Sequence, residues 1–361
     1  MSTYQGKKAL LMAGGTGGHV FPALATAEHL EQQGVSIEWL GSSHGIENDL
    51  VPAAGIKLNT ISVTGLRGKG KLSLLLAPFK VIRAVLQALN VLREVKPDVV
   101  LGMGGFASGP GGLAAWLLRV PVVVHEQNAI SGMTNRILSR FATRVLEAFK
   151  GGFASLEGVV QTGNPVRGKI LDLADPAERY ADRTGPVRVL VVGGSLGAKA
   201  INDRLPEVLA EMPEDERPEV WHQTGKQHFE TTSNAYQAAG IDVKVTPFID
   251  GMDQAYQWAD LVICRAGALT VSELAVAGVA SVLVPFPFAV DDHQTANARY
   301  LEQSGAAVLL PQQEMTKEKL LSILRDLQDR TKLLQMASAA RQQARPEASA
   351  EVAAICLEVM K

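Results

Sequence analysis

Short runs of apolar residues alternate with helix-forming segments along the whole chain, and this alternation constrains the fold most strongly. The runs are rich in Val, Ile and Leu without regular polar alternation, as is typical of strands buried on both faces. The first half contains KALLMA, SIEWLG, LNTISV, DVVLGM, PVVVHE and RVLEAF, and the second contains VRVLVVGG, EVWHQTG, VKVTPFI, DLVICRA and ASVLVPF. Strands separated by helices form β-α-β units, so the pattern predicts an α/β protein with doubly wound parallel sheets.

A glycine-rich segment, AGGTGGHVFP at residues 13–22, joins the first predicted strand to a helix-forming run that stops at Gly34. Glycine adopts positive φ values and lets a ligand approach the backbone closely. The start of the following helix adds unpaired N–H groups and the positive end of the helix dipole, so we expect this loop to bind an anion. The same order of strand, glycine loop and helix recurs in VRVLVVGGSLGAKAINDRL, which begins at Val187 and indicates a second Rossmann-like domain.

The length of 361 residues suits two domains of ordinary size. The alternation of strands and helices is interrupted at TGNPVRG, where Gly163, Asn164 and Pro165 favour a turn. We place the boundary there, so that the first domain spans residues 1–165 and the second spans 166–340. The last segment, 341–361, is predicted to be helical apart from Pro346.

Composition narrows the class of protein. The 35 Lys and Arg residues against 37 Asp and Glu residues argue against a nucleic-acid binder. Cys264 and Cys356 are far apart and form no metal-binding pattern, which is typical of a reduced, cytoplasmic protein, and we expect Cys264 to lie in the core. The apolar run before Gly14 is too short for a signal peptide. The uncharged stretch Val99–Leu118 contains six glycines and Pro110, so a strand with a glycine loop is expected there rather than a membrane-spanning helix.

GMGGFA, Gly102–Ala107, matches the dinucleotide-binding pattern G-x-G-x-x-A, and Glu126 follows it at the end of the next strand. The match follows a late strand instead of the first one, so it supports a nicotinamide-dependent enzyme only weakly. The sequence contains no ATP-binding P-loop pattern and no Asp-x-Asp pair.

RAGALTVSELAVAG, Arg265–Gly278, begins a helix directly after the strand DLVIC. One interpretation is a capping box, in which Thr270 is the N-cap and Glu273 bonds back to the backbone. In the other, the N–H groups around Ala268–Thr270 bind a diphosphate and Glu273 accepts hydrogen bonds from ribose hydroxyls. Both interpretations are open at this point.

Two polar clusters follow strands at the edge of a parallel sheet where ligands bind. HEQN, His125–Asn128, is difficult to explain by packing, although His125 alone could be a buried histidine with satisfied hydrogen bonds. DDHQTANA, Asp291–Ala298, follows VPFPF, and its simpler interpretation is a polar helix start complementing the helix dipole.

The segment Arg67–Lys96 holds seven basic residues and one acidic residue, and it carries an apolar stripe at helical spacing: Leu72, Leu75, Phe79, Ile82 and Leu86. Most such stripes face a protein core. The basic flanks and the glycines of GLRGKGKL favour instead a helix that lies on an anionic membrane surface.

The segments that carry a family resemblance are GGTGGHVFP, TGLRGKG, KPDVVLGMGGFASGPGGLAAW, HEQN, GNPVR, VLVVGGSLGA, CRAGALTVSE and DDHQTANA. Over nearly the whole chain they resemble the bacterial lipid I N-acetylglucosaminyltransferases of glycosyltransferase family 28. The resemblance implies the GT-B fold, in which two Rossmann-like domains face each other across a cleft and the helix of residues 341–361 packs back onto the first domain. It implies inverting transfer of N-acetylglucosamine from UDP-N-acetylglucosamine to the C4 hydroxyl of the N-acetylmuramic acid of lipid I. The product would be lipid II for peptidoglycan synthesis, and no metal or other cofactor is implied.

The resemblance also implies roles for residues at matching positions. Gly14, Gly15, Gly104 and Gly105 would hold the diphosphate of the lipid acceptor. The residues implied for UDP-N-acetylglucosamine are Thr16, Gly17, Gly18, Asn128, Arg167, Ser195, Ile249, Ala268, Leu269, Thr270, Val271, Ser272, Glu273 and Gln294. Within this set the backbone of Ile249 would contact the uracil, residues 268–270 the diphosphate, Glu273 the ribose and Gln294 the sugar.

An inverting transfer needs one general base to take the proton of the acceptor hydroxyl. His19 is our first candidate, because a position at a helix N-terminus disfavours the imidazolium form and leaves a neutral ring that can accept a proton. Glu126 is the second candidate, either as the base or as a residue that orients it.

The expected partners are UDP-N-acetylglucosamine, lipid I, an anionic membrane surface and other proteins of cell-wall synthesis and cell division, with no nucleic acid. Leu75, Phe79, Ile82 and Trp116 would form the membrane patch, which places the protein at the cytoplasmic face of the inner membrane without a spanning segment. Two alternatives stay open, a UDP-N-acetylglucosamine epimerase and a UDP-sugar binding module without catalysis. An epimerase would not need the basic apolar stripe.

Overall fold

The computed structural model describes residues 4–63, 77–154, 156–194 and 197–360. The contacts divide the chain into two compact units. The first unit contains the residues up to Arg167 and the stretch from Pro346 onwards, and the second contains Gly168–Arg345. The end of the second unit therefore differs from the predicted 340, because Arg341 belongs to it: its guanidinium donates to the carbonyls of Val276 and Leu173.

The first unit is built on a seven-stranded sheet in the order β3-β2-β1-β4-β5-β6-β7, in which all strand pairs are parallel. Its strands are β1 (Lys8–Met12), β2 (Ser36–Ser42), β3 (Lys57–Ile61), β4 (Val99–Gly102), β5 (Val122–Glu126), β6 (Arg144–Glu147) and β7 (Val160–Gln161). Its helices are α1 (Gly17–Gln32), α2 (Glu47–Ala53), α3 (Ala77–Val95), α4 (Ser108–Leu117) and α5 (Met133–Leu138), and the last helix of the chain, α15 (Ala348–Val359), also belongs to it.

Alternate side chains of β1 enter two different cores. Leu11 packs with α1 and α15, whereas Leu10 and Met12 pack with α3, α4 and α5. Helices therefore cover both faces of the sheet, which explains why its strands are apolar without alternation.

The second unit is built on a six-stranded parallel sheet in the order β10-β9-β8-β11-β12-β13. Its strands are β8 (Arg188–Val192), β9 (Glu219–Gln223), β10 (Lys244–Thr246), β11 (Leu261–Cys264), β12 (Ala280–Leu283) and β13 (Ala307–Leu309). Its helices are α6 (Gly168–Leu171), α7 (Pro176–Ala181), α8 (Lys199–Ala210), α9 (Phe229–Ala238), α10 (Met252–Trp258), α11 (Ala268–Ala277), α12 (His293–Glu302), α13 (Lys317–Asp326) and α14 (Arg330–Gln342), with 3-10 turns at Glu214–Glu216, Lys226–His228, Val290–Asp292 and Gln312–Glu314.

Both sheets confirm the predicted α/β class, and each predicted apolar run contains a strand. In each sheet the chain order reverses beside the first strand of the unit, between β1 and β4 and between β8 and β11. Loops at such a switch point diverge and leave a crevice at the carboxyl edge, where α/β proteins bind ligands. The two glycine-rich loops follow β1 and β8, so each lies at a switch point.

Candidate active site

The glycine-rich loop after β1 is held by a carboxylate that the sequence analysis missed. Glu47, the first residue of α2, is fully buried and accepts hydrogen bonds from the Gly15 N–H (2.9 Å) and the Ser42 N–H (3.2 Å). Its Oε1 also lies 2.7 Å from the Ser42 hydroxyl, which contacts the His44 carbonyl oxygen at 2.6 Å. A Cβ on Gly14 would lie 2.5 Å from Glu47 Oε1, so a larger residue at position 14 would displace the Glu47 carboxylate. Since the Gly15 N–H is already donated, an acceptor diphosphate at this loop needs other donors.

His19 lies in the first turn of α1, half-buried, and its ring is fixed by this same loop. Its Nδ1 is 3.1 Å from the Gly14 carbonyl oxygen and 3.4 Å from the Thr16 hydroxyl. A carbonyl oxygen only accepts hydrogen bonds, so we assign the proton of the neutral ring to Nδ1. This assignment leaves Nε2 with a free lone pair that can accept a proton.

The loop after β4 forms the other side of the switch point. Gly104 and Gly105 have φ values of +96° and +89°, which other residues rarely adopt. A Cβ on Gly104 would lie 2.9 Å from His19 Nε2, and one on Gly105 would lie 2.6 Å from the Gly14 carbonyl oxygen. These two glycines therefore let the two loops touch and leave room for the His19 ring. Ser108 connects the loops further, since its hydroxyl contacts the carbonyls of Met12 and Gly104.

The HEQN segment ends β5 and begins the next loop. His125 is buried between the Gly163 carbonyl and the Gln127 amide, and burial lowers its pKa to about 4. It is thus a neutral core histidine, the simpler of the two interpretations for this residue.

Glu126 is also buried, and its two carboxylate oxygens accept hydrogen bonds from four N–H donors. The donors are the backbone N–H groups of Asn128 and Gly132 and the side-chain amides of Asn128 and Asn135. This geometry favours a positioning role towards Asn128 over the role of general base.

Arg167 lies near the first turns of α1 in the first unit. The Arg167 guanidinium stacks 5.0 Å from the centre of the Phe21 ring on α1, and the same ring packs against Gly17. Thr16 is the residue before α1, and its extended backbone begins the helix without a side-chain cap. These contacts bring Arg167 to the start of α1, where the predicted site residues Thr16, Gly17 and Gly18 lie.

In the second unit the glycine loop after β8 is tied to its neighbours by the Gln223 side chain, which the sequence analysis also missed. Gln223 ends β9, accepts from the Gly194 N–H (3.0 Å) and donates to the carbonyls of Gly194 and Pro247. Ile249, whose backbone we expect to meet uracil, follows Pro247 two residues later and is buried. Ser195 lies outside the described residues.

Helix α11 begins three residues earlier than a capping box at Thr270 requires. Its N-cap is Gly267, so Ala268, Leu269 and Thr270 form its first turn and the proposed capping box is wrong. The first N–H groups of a helix have no partner within it, so those of Ala268, Leu269 and Thr270 remain oriented for an external acceptor. They lie at the switch point between β8 and β11, which fits the expectation of a diphosphate there.

Glu273 lies one turn further along α11 and is buried, at 3% exposure. The Tyr256 hydroxyl on α10 donates to Glu273 Oε2 at 3.0 Å. Val271 and Ser272, which are also predicted to bind the donor, lie just before Glu273 on α11. Val271 is buried and Ser272 is half-buried. On α12, Gln294 Oε1 accepts from the Phe286 N–H at 2.9 Å, which fixes the side chain that we expect to meet the sugar.

The apolar stripe on α3 is exposed where the structure describes it. Phe79, Ile82 and Leu86 are 72%, 57% and 57% exposed, whereas Val85 and Leu92 on the opposite face are buried. The interpretation of the first three as core residues is therefore wrong. Trp116 is half-exposed, and its ring lies 5.6 Å from that of Phe141 at a tilt of 43°. Leu72 and Leu75 lie outside the described residues. Among the described helices, none combines the length and apolarity that crossing a membrane requires.

Two parallel α/β units, each with a glycine loop and a helix N-terminus at its switch point, define the class of GT-B glycosyltransferases. The models of the glycosyltransferase family 28 N-terminal and C-terminal domains match residues 9–147 and 188–352. The chain therefore belongs to glycosyltransferase family 28.

Relatives with assigned names match along their full length. One is the UDP-N-acetylglucosamine–N-acetylmuramyl-(pentapeptide) pyrophosphoryl-undecaprenol N-acetylglucosamine transferase of Marinobacter nauticus, 56% identical over 353 residues that cover 98% of this chain and 97% of the relative. The crystal structure of MurG from Acinetobacter baumannii matches with a TM-score of 0.84 and 45% identity, covering 98% of this chain and 99% of that one. A UDP-GlcNAc 2-epimerase from Neisseria meningitidis shares the fold alone, with a TM-score of 0.67 and 12% identity over 97% of this chain and all of the other.

Proposed function

We propose that this chain transfers N-acetylglucosamine from UDP-N-acetylglucosamine to the C4 hydroxyl of the N-acetylmuramic acid of lipid I, with inversion at the anomeric carbon. The observation that carries the proposal is His19, whose Nδ1 is bound to the Gly14 carbonyl at the first switch point and whose Nε2 is left as a proton acceptor. The name of the Marinobacter relative, which matches nearly the whole chain, supports the choice of substrates.

In the proposed reaction the acceptor O4 attacks the anomeric carbon from the face opposite the diphosphate. His19 Nε2 takes the O4 proton as the new C1–O4 bond forms and the bond between C1 and the diphosphate oxygen breaks. UDP leaves with the electron pair, and the imidazolium later releases its proton to water. A base that is well placed in this way contributes about a hundredfold to ten-thousandfold to the rate.

The leaving diphosphate gains negative charge as the bond breaks. The N–H groups of Ala268, Leu269 and Thr270 at the start of α11 would stabilise this charge, because fixed dipoles need no reorganisation during the reaction. Glu273 would accept hydrogen bonds from the ribose hydroxyls, and Gln294 would contact the sugar.

We further propose that the exposed face of α3 holds the protein on an anionic membrane surface at the cytoplasmic side of the inner membrane. Phe79 and Ile82 would insert among the lipid chains, while Lys80 and Arg83 lie beside them on the same helix. Such a position would bring the first unit to the diphosphate of lipid I. Partners from cell-wall synthesis and cell division would reach it at the same surface.

The test is a product assay with labelled UDP-N-acetylglucosamine and a short-chain lipid I analogue. We expect the label to move into a lipid product that is heavier by one N-acetylhexosamine, with a β-1,4 linkage by NMR. A sugar nucleotide of unchanged mass but altered configuration would identify an epimerase instead, and unchanged substrates would leave a binding module.

A further inference from the structure

Glu47 and His19 contact opposite ends of a single peptide group. The Gly15 N–H donates to Glu47 Oε2 at 2.9 Å, and the Gly14 carbonyl accepts from His19 Nδ1 at 3.1 Å. The carbonyl of residue 14 and the N–H of residue 15 belong to the same planar amide, so they are coupled by its resonance. A continuous hydrogen-bonded chain therefore runs from a buried carboxylate, through one peptide group, to the imidazole.

We propose that Glu47 is a positioning residue that raises the basicity of His19 through the Gly14–Gly15 peptide. The inference rests on the proposed function of His19 as the base. A negative charge at the N–H end of the peptide pushes electron density towards the carbonyl oxygen at the other end, because hydrogen bonds in a chain polarise one another. The more negative carbonyl then stabilises the positive charge that His19 gains when Nε2 takes a proton.

The surroundings of Glu47 fix its carboxylate in the position that this coupling needs. Its oxygens accept from the backbone N–H groups of Ser42 and Gly15, and hydrogen bonds to a carboxylate are stronger than those between neutral groups. Space for the side chain is made by glycines: a Cβ on Gly45 would collide with its carboxylate, and one on Gly41 would lie 3.0 Å from its Cγ. The carboxylate is thus closely packed, with Oε2 within hydrogen-bond distance of the Gly15 N–H.

Other charged or titratable groups lie on the segments around this loop, and they are the same in the unaltered chain and in the variants proposed below. They are His44, Asp49, Glu126 and Arg167. Glu147 offers a matched control in the same unit. It is a buried glutamate that ends β6, and its carboxylate accepts from the N–H groups of Gly151 and Phe153 in a different loop.

The experiment measures the titration and tautomer of His19 by NMR in uniformly labelled protein, with the His19 signals assigned by their loss in His19→Ala. In the unaltered chain we expect the neutral ring to carry its proton on Nδ1. Glu47→Gln should lower the pKa of His19 by about one unit, which is the effect of removing one nearby charge at an intermediate effective dielectric. Glu147→Gln should leave that pKa unchanged within a few tenths of a unit.

Kinetics give a second readout in the same variants. Glu47→Gln should lower kcat roughly tenfold with little change in the KM for UDP-N-acetylglucosamine, whereas a general loss of packing would lower the melting temperature without shifting the His19 titration. An unchanged His19 pKa in folded Glu47→Gln would overturn the inference. A neutral His19 that carries its proton on Nε2 would also overturn the inference. This tautomer is measured on the unaltered chain, so it tests the inference even if Glu47→Gln does not fold.

The two proposals fail separately. Full transfer activity in His19→Ala would end the role of His19 as the base but would leave the titration shift intact. The expected loss of activity in His19→Ala, together with an unchanged His19 pKa in Glu47→Gln, would support His19 as the base and contradict the positioning role of Glu47.

Discussion

The Tyr256 hydroxyl donates a 3.0 Å hydrogen bond to Oε2 of Glu273, which joins helix α10 to the helix that begins the proposed donor site. This bond, and not a capping box, is the structural role of Glu273 that competes with ribose binding. Glu273→Gln keeps an oxygen for the tyrosine but loses the charge, so we expect UDP affinity to fall about tenfold or more while the melting temperature changes little.

Tyr256→Phe is the matched variant, since it removes the donor and keeps the carboxylate. It should cost about 1 kcal/mol of stability with a smaller effect on UDP affinity. Calorimetric titration with UDP and a thermal melt give both quantities. Equal UDP affinity in Glu273→Gln and the unaltered chain would leave Glu273 with a purely structural role.

The exposed face of α3 predicts a separation of membrane binding from stability. Replacing Phe79 and Ile82 with serine removes two side chains that are mostly in water, so the melting temperature should stay nearly constant. Binding to vesicles with anionic phospholipids should weaken at least tenfold, because burying each of these side chains is worth roughly 1.5–3 kcal/mol. Val85→Ser, on the buried face of the same helix, should lower the melting temperature and leave vesicle binding by the folded protein nearly unchanged. Undiminished vesicle binding by the double variant would refute the membrane patch.

Burial of His125 predicts that stability falls in mild acid. Its pKa is about 4 in the folded chain against the ordinary histidine value of 6.5, so the unfolded chain binds more protons between these values. The stabilisation is complete above about pH 6.5 and is lost as the pH falls towards 4, with a size on the order of 3 kcal/mol. Thermal melts from pH 7 to pH 4.5 should show this loss. In His125→Gln the melting temperature of the first unit should depend less steeply on pH. An equally steep slope in that variant would contradict the assignment.

The close contact between the two loops of the first switch point predicts a strong penalty at Gly105. Alanine there must adopt a φ of +89° and place its Cβ 2.6 Å from the Gly14 carbonyl oxygen. Gly6 has the same φ of +89° and open space around it, so Gly6→Ala measures the backbone cost alone, about 1–2 kcal/mol. Gly105→Ala should lower the melting temperature distinctly more than Gly6→Ala. Equal shifts would show that the loops part without cost.

The strands were predictable because both faces of the first sheet are covered by helices, which makes a strand such as Val99–Gly102 an unbroken apolar run. The strands β7 and β13 were missed, since with two and three residues they are too short for a pattern of their own. Thr270 and Glu273 show a different limit. Their spacing fits a capping box, but the helix already begins after Gly267, and only the end of β11 fixes that start.

The part of the site that sequence reasoning missed depends on contacts between distant residues. Glu47 in GIENDL looks like an ordinary acidic residue at a helix start, which complements the dipole. Its burial results from packing against glycines of another loop, and its partner Gly15 is 32 residues away. A useful signal was present nevertheless: Gly41 and Gly45 precede the residue closely, and glycines near an acidic side chain are compatible with a close approach of the backbone.

The most direct test of the account is kcat for His19→Ala at saturating UDP-N-acetylglucosamine and lipid I analogue. The Nδ1 contact with Gly14 makes His19 Nε2 the proposed proton acceptor. We predict that kcat falls between about a hundredfold and ten-thousandfold, the usual contribution of a general base. A fall of less than about tenfold would contradict the assignment of His19 as the base.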